Sequence, residues 1–213
     1  MKSSSALYKS AGVCFLATFL SAVSSYAGDD GAFYMAIDGG ASVVQDAQSA
    51  HGPGFGPDGT VVSFDTGARF DVTAGYRFRD FLAGEVEGGF ADNKISTDGG
   101  ISTPTDWRLY QYPLLFNVVL RQPIGHNWAA SIGGGVGGVW TDLDIQGLGS
   151  DTDLQLAYQF KAGLTYSFGD VYEFGITYRY LGTDDHTWTI AGIPSGTKGI
   201  MTHSFVVSLT IKF

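Results

Sequence analysis

From His203 to Phe213 apolar and polar residues alternate with a period of two. Phe205, Val207, Leu209, Ile211 and Phe213 fall on one face, and Ser204, Val206, Ser208, Thr210 and Lys212 on the other. Successive side chains of a strand point to opposite faces, so this spacing predicts a β-strand with one apolar side. The same pattern returns seven more times. Its apolar faces run from Phe33 to Ala41, Phe70 to Phe78, Leu82 to Phe90, Tyr110 to Leu120, Trp128 to Trp140, Leu156 to Phe168 and Tyr172 to Tyr180. Pro113, which has no N–H to donate, predicts a local bulge within its strand.

The connections alternate as strictly as the residues do. Arg79-Asp80, Gln122 to Asn127 and Gly169-Asp170 are short, the last a two-residue hairpin signal. Val44 to Asp65, Ala91 to about Thr105, Thr141 to Asp153 and Gly182 to about Ile200 read as long loops rich in Gly, Asp, Ser and Pro. The pattern predicts an all-β protein: an eight-stranded antiparallel up-and-down transmembrane β-barrel with short periplasmic turns and four long extracellular loops.

Periodicity alone does not say which face is outside; charge and aromatic placement do. Arg69, Arg77, Arg121, Lys161, Arg179 and Lys212 share the polar face with Asp38, Asp71, Glu85, Glu87 and Glu173. Near-balanced charge on one face predicts an ion-paired interior, because buried charges need partners. Trp128 and Trp140 share a face 12 residues apart. At ~3.3 Å per residue and a tilt of ~40° they stand roughly 30 Å apart along the axis, matching the two borders of an apolar band. Tyr76, Phe78, Tyr166, Phe168, Tyr172 and Phe213 gather toward the turns, and Tyr110, Tyr158, Tyr180 and Phe205 toward the loops. Aromatic residues collected at strand ends predict interfacial girdles. Gly133, Gly135 and Gly137 fall on the inward face, where they make room for long side chains opposite.

Composition agrees with a membrane environment. The 213 residues include 31 Gly, 14% aromatic and only 15% charged residues, against about 25% charged in typical soluble domains. Residues 1–27 read as a cleaved export signal: Lys2 and Lys9, an apolar run from Ala11 to Val23, then Ser25-Tyr26-Ala27 with small residues at the -3 and -1 positions. Residues 28–213 form the barrel domain. The formal net charge of -9 becomes -11 once Lys2 and Lys9 are removed, leaving 10 basic against 21 acidic residues. That balance excludes nucleic acid as a partner class. Cys14, the only cysteine, lies in the signal, so no disulfide is expected.

Gly75-Tyr76-Arg77-Phe78 before a tight turn, the glycine-rich fifth strand, Tyr178-Arg179-Tyr180 and the final Ile211-Lys212-Phe213 resemble the small outer-membrane β-barrel superfamily. That superfamily includes OmpA-like transmembrane domains, OmpX-like proteins and opacity-type surface proteins. The resemblance implies an outer-membrane location in a Gram-negative bacterium, contact with outer-membrane lipids and lipopolysaccharide, and recognition of the strand ending in Phe213 by the barrel-assembly machinery. The sequence stops at Phe213, so no wall-binding domain after the barrel is expected.

Candidate chemistry is sparse, and no catalytic, cofactor or metal residue is assigned. Asp142, Asp144 and Asp153, with Gln146-Gly147 between, follow the spacing of a calcium loop but depart from it at Gln146, Gly149 and Asp153. Some small barrels modify lipid A with a His and a Ser near the membrane border. His203 and Ser204 are adjacent, so alternation sends them to opposite faces. His186, beside Asp184 and Asp185, reads as a solvated loop histidine. The expected function is a non-enzymatic outer-membrane barrel presenting acidic surface loops for envelope integrity, adhesion or environmental contact. The alternatives are a lipid A-modifying enzyme and a small ion-conducting pore.

Overall fold

A computed structural model describes residues 32–51, 60–98, 101–102, 107–145, 149–190 and 193–213. The expected export signal, residues 1–27, lies outside them. The described strands are β1 (Ala32–Val44), β2 (Ala47–His51), β3 (Val61–Phe64), β4 (Gly67–Arg79), β5 (Leu82–Asp98), β6 (Ile101–Ser102), β7 (Arg108–Pro123), β8 (Trp128–Ile145), β9 (Gly149–Phe168), β10 (Tyr172–Thr183), β11 (His186–Ile190), β12 (Ile193–Thr197) and β13 (Met201–Lys212). Eight of them form one antiparallel ring in the order β1-β4-β5-β7-β8-β9-β10-β13. The ring closes where β13 pairs with β1 from Tyr34↔Lys212 to Val44↔Thr202. Closure is what lipid demands: an unpaired backbone edge in hydrocarbon would cost several kcal/mol for every exposed polar group.

The outer surface is apolar. Phe116, Ile132, Phe160 and Phe205 are 60–62% exposed, Val136 66% and Leu156 79%. Large apolar side chains exposed on every barrel strand would form a patch far beyond what a soluble monomer tolerates, so lipid covers this face. Aromatic rings border the band as expected. On the turn side Trp128 meets Tyr166 at 5.0 Å, Tyr166 meets Phe168 at 4.7 Å, and Phe33 and Phe78 flank Tyr76. On the loop side Phe90 packs on Tyr110 and Tyr112, Tyr158 on Tyr180, and Tyr178 on Phe205.

The loop boundaries need correction. β5 runs on to Asp98, where a loop from Ala91 was expected. β8 and β9 stay paired to Ile145↔Gly149, through most of the expected third loop. The first loop contains β2 and β3, and the fourth contains β11 and β12. These join in the order β11-β12-β2-β3-β5, a small sheet rising from one wall of the barrel. Beyond the lipid border the alternation inverts: Leu143 and Ile145 turn inward into a buried core while Asp142 and Asp144 face out, because the face to be buried is now the lumen side. The backbone ladder continues through the change.

Pro113 makes no bulge. Its ring is buried, Gly88 pairs with Leu114 and Ala91 with Gln111 in a constant register, and only the bonds between those pairs are missing. On its other side Pro113 pairs with Val139 in an unbroken ladder. The turn after β9 is one residue longer than a two-residue hairpin, with Gly169 at φ 63°, a conformation glycine adopts at little cost.

The inward glycines of β8 leave room as expected. A Cβ on Gly135 would collide with the Asn117 side chain and the carbonyl oxygen of Phe116, whereas one on outward Gly39 would meet nothing within 4 Å. Gly135→Val therefore lowers stability by about 1–3 kcal/mol, while Gly39→Ala shifts it by less than about 0.5 kcal/mol. Urea unfolding in lipid vesicles, followed by heat-modifiable gel mobility, checks both.

Candidate functional site

The lumen is the first place to look for chemistry. Inward positions of β1, β4, β5, β9 and β10 carry seven of the charges picked out in the sequence, and the structure joins these into a central network. Arg179 Nη2 donates to Asp38 Oδ2 at 2.8 Å, and its Nη1 to Asp71 Oδ2 at 2.5 Å with Glu87 Oε1 3.3 Å away. Arg69 Nε donates to Asp71 Oδ2 at 2.8 Å and its Nη2 to Glu87 Oε1 at 3.2 Å. Lys161 binds Glu85 closely and Glu87 Oε2 at 3.2 Å. Gln159 Nε2 also donates to Glu87 Oε1 at 3.1 Å. Arg69, Asp71, Glu87 and Arg179 expose 3% or less of their side chains. Pairing of this kind is the condition for burying charge.

A second cluster lies nearer the turns. The Glu173 carboxylate accepts from Arg77 Nη2 at 2.6 Å, Arg121 Nη2 at 2.9 Å and Ser167 Oγ at 3.2 Å, with Lys212 Nζ at 3.3 Å. Above the central network, buried apolar layers flank a hydrogen-bonded polar one, in which Ser42 donates to Asn93 and Thr202 to Gln111, each at 3.0 Å. Leu115, Val139, Ala157 and Leu181 form one buried layer. Val44, Val62, Ile95, Leu109, Leu143, Ile145, Trp188 and Ile200 form a larger core above it, with Phe64 and Trp107 packed against it. Side chains fill an eight-stranded barrel, and here they do so in ionic and apolar tiers.

Trp188 reaches that upper core from β11. Its Nε1 donates to the Thr141 carbonyl at 3.3 Å. Two aspartates of β9 hold the strand in place: Asp153 Oδ2 accepts from Thr187 N at 2.9 Å, and Asp151 Oδ2 from Thr189 N at 2.6 Å. His186 is therefore not a solvated loop residue. It is 1% exposed, stacks on Trp188 at 5.0 Å with an interplanar angle of 1°, and shares a 2.8 Å hydrogen bond between Nε2 and Thr183 Oγ1. Burial pushes its pKa down to about 4, against the opposing pull of Asp153. His186-Thr187-Trp188-Thr189 alternates in step with its strand, a signal passed over when the segment is read as a long loop; the aspartate latches had none.

The remaining candidates do not assemble. Asp142 and Asp144 lie on the outward face of β8, opposite Thr152 and Ser150. Asp153, opposite Thr141, turns inward to Thr187. The calcium spacing thus splits across the barrel wall, and Gln146-Gly147 lies outside the described residues. Among the described residues no group of three or more His, Cys, Asp or Glu gathers to hold a metal. His203 faces outward, with Nδ1 2.7 Å from Tyr178 Oη and Nε2 2.6 Å from Gln45 Nε2, while Ser204 is buried on the opposite face. Alternation separates them as expected.

Arg179→Met removes the cation shared by Asp38, Asp71 and Glu87 and leaves buried carboxylates unmatched, so urea unfolding should show a loss of about 3–5 kcal/mol. His186 supplies a pH prediction. Its packed pKa lies below that of a free histidine, so between pH ~6.5 and ~4 the released loop binds a proton that the packed loop does not. The packing of β11 is therefore strongest above pH ~6.5 and weakens as pH falls toward 4. Trp188 fluorescence and protease nicking of loop four follow this, and His186→Phe should flatten the profile.

Comparisons with known proteins agree with this geometry. Residues 13–213 match the family model described as outer membrane protein beta-barrel domain. Among solved structures, Neisserial surface protein A is 15% identical with a TM-score of 0.57, over 85% of this chain and 99% of that one. The outer membrane protein OprG from Pseudomonas aeruginosa is 19% identical with a TM-score of 0.59, over 84% and 95%. Ail, the attachment invasion locus protein of Yersinia pestis, solved with the heparin analogue sucrose octasulfate, is 14% identical with a TM-score of 0.50, over 87% and 100%. At these identities the likeness is one of fold. No curated protein matches the sequence. A closed eight-stranded ring, a lipid-facing exterior, an ion-paired lumen and a family match over nearly the whole length have one reading: the chain belongs to the outer membrane β-barrel family and is an integral outer-membrane protein of the Gram-negative type.

Proposed function

We propose that this protein is a non-enzymatic, non-conducting barrel that holds an acidic, folded platform at the cell surface, for contact with the environment or for envelope integrity. The observation that carries this reading is the filled lumen. Ion pairs occupy its middle and two apolar layers close its loop end. Desolvated apolar tiers oppose the passage of ions.

The loops carry the other half. They continue the barrel into a small sheet and expose Asp46, Asp65, Asp184 and Asp185, against exposed Lys198. A surface of that sign suits a basic partner rather than a polyanion such as the sulfated sugar bound to Ail. Export is through removal of residues 1–27, assembly through the strand that ends at Phe213, and the outward aromatic rims meet phospholipid and lipopolysaccharide.

In planar bilayers charged with molar potassium chloride, the purified protein should give no stepwise conductance; regular steps would overturn the closed lumen. Lipid A mass spectra should be the same with and without the gene, and a changed acyl pattern would reject the non-enzymatic reading. Asp184→Asn with Asp185→Asn should weaken capture of polylysine on vesicles bearing the folded protein, and added salt should do the same.

A further inference from the structure

We propose that the turn-side mouth of the lumen is a binding site for a small oxyanion of the phosphate type. A cavity of about 90 Å³ opens there between the turn residues Arg79 and Asp80 and the central ion-pair network, with Arg77, Arg121, Tyr34 and Glu173 among its lining. A water molecule's share of liquid volume is about 30 Å³. The cavity therefore has the size of a few waters or one tetrahedral oxyanion.

The argument rests on how the interior charges divide. The central network holds Asp38, Asp71, Glu85 and Glu87 against Arg69, Lys161 and Arg179, an excess of one negative charge. The mouth cluster holds Arg77, Arg121 and Lys212 against Glu173 alone, an excess of two positive charges; the cavity wall itself, which Lys212 does not join and on which Asp38 and Glu85 also lie, keeps an excess of one. At the rim Arg79 and Asp80 are both exposed and cancel. The surplus is held where water access is poor: the three cations expose only 17–20% of their side chains. Arg121 Nε is also buried without a hydrogen-bond partner. A half-shielded guanidinium with an unused donor, beside a second guanidinium on the same carboxylate, is the donor set that takes an oxyanion.

Hydroxyls complete the lining. Ser131, Thr165, Thr177, Ser208 and Thr210 reach the cavity and can donate to an oxyanion or accept from its protonated form. Glu173 is the anion's competitor, because it already occupies Arg77 and Arg121. The bound species is either free inorganic phosphate or the headgroup phosphate of a lipid in the turn-side leaflet; the recognition chemistry is the same.

The test uses the refolded protein in maltoside micelles, which carry no phosphate, titrated with inorganic phosphate against chloride at matched ionic strength. Phosphorus NMR line broadening and the Arg121 Nε–Hε signal give the readout. Saturable binding of phosphate and not chloride is expected. Arg121→Gln should weaken it at least about tenfold, the scale of one charge-assisted hydrogen bond. Glu173→Gln should tighten it several-fold by removing the competitor. Opposite shifts from two variants that both keep heat-modifiable mobility cannot come from misfolding. An equal response to chloride, a folded Arg121→Gln that binds as before, or a Glu173→Gln that binds less tightly would overturn the proposal. Nanodiscs containing phosphatidylglycerol separate the sources. A headgroup occupant shifts the Arg121 signal before titration and blocks added phosphate, whereas a free ion titrates as it does in micelles.

Discussion

Hydrocarbon offers no partner to a backbone N–H or C=O, and the rest of this structure follows from that. Every strand crossing the lipid must find both neighbours, so β13 returns to pair with β1 and the sheet has no free edge there. Closing the ring with eight strands sets a width that side chains can fill. The outward positions then answer to lipid and the inward ones to each other. Leu156, Val136 and Phe116 can stand exposed on one side of the wall only because Gln159, Gly135 and Asn117 meet on the other.

A filled, narrow lumen is an awkward place for charge, yet the inward face carries eleven charged side chains, from Asp38 to Lys212. Replacing buried ion pairs with apolar residues is often neutral or stabilising, so stability alone does not explain them. An apolar interior would, however, give each strand two greasy faces. A strand greasy on both sides has no preferred register, because a one-residue slip loses nothing. The Arg179 fork on Asp38 and Asp71, from three different strands, ties β1, β4 and β10 into one alignment. We read the central network mainly as a register lock.

Much of this could be read from the residues alone. The strand Phe205 to Phe213, the shared inward face of Arg69, Lys161, Arg179 and Glu87, and the inward glycines of β8 all obey the two-residue period that the lipid border enforces. Where that border ends, legibility ends with it. β5 goes on to Asp98 and β8 to Ile145 with Ile95, Leu143 and Ile145 now inward, so a reading keyed to an apolar outer face stops short of them. His186 looked solvated beside two carboxylates, because nothing local tells that Trp188 will stack on it or that Asp153 belongs to the latch. The calcium-like spacing of Asp142, Asp144 and Asp153 failed for a related reason: it assumed a loop where a hairpin sends alternate residues to opposite faces. Pro113 misled differently, since a sheet can lose its bonds at one point without losing register.

The same width limits where function can be. Ion pairs occupy the middle of the lumen, and packed apolar and hydrogen-bonded side chains occupy its upper half. Chemistry is left to the two ends. At the loop end the barrel wall extends past the lipid as a sheet, and Asp46, Asp65, Asp184 and Asp185 stand exposed at the joints between its strands. At the turn end the ion pairing stops short of balance, and Arg77, Arg121 and Lys212 converge on a single carboxylate. Those cations keep only 17–20% of their side chains in contact with water, so their surplus charge is what a ligand would meet.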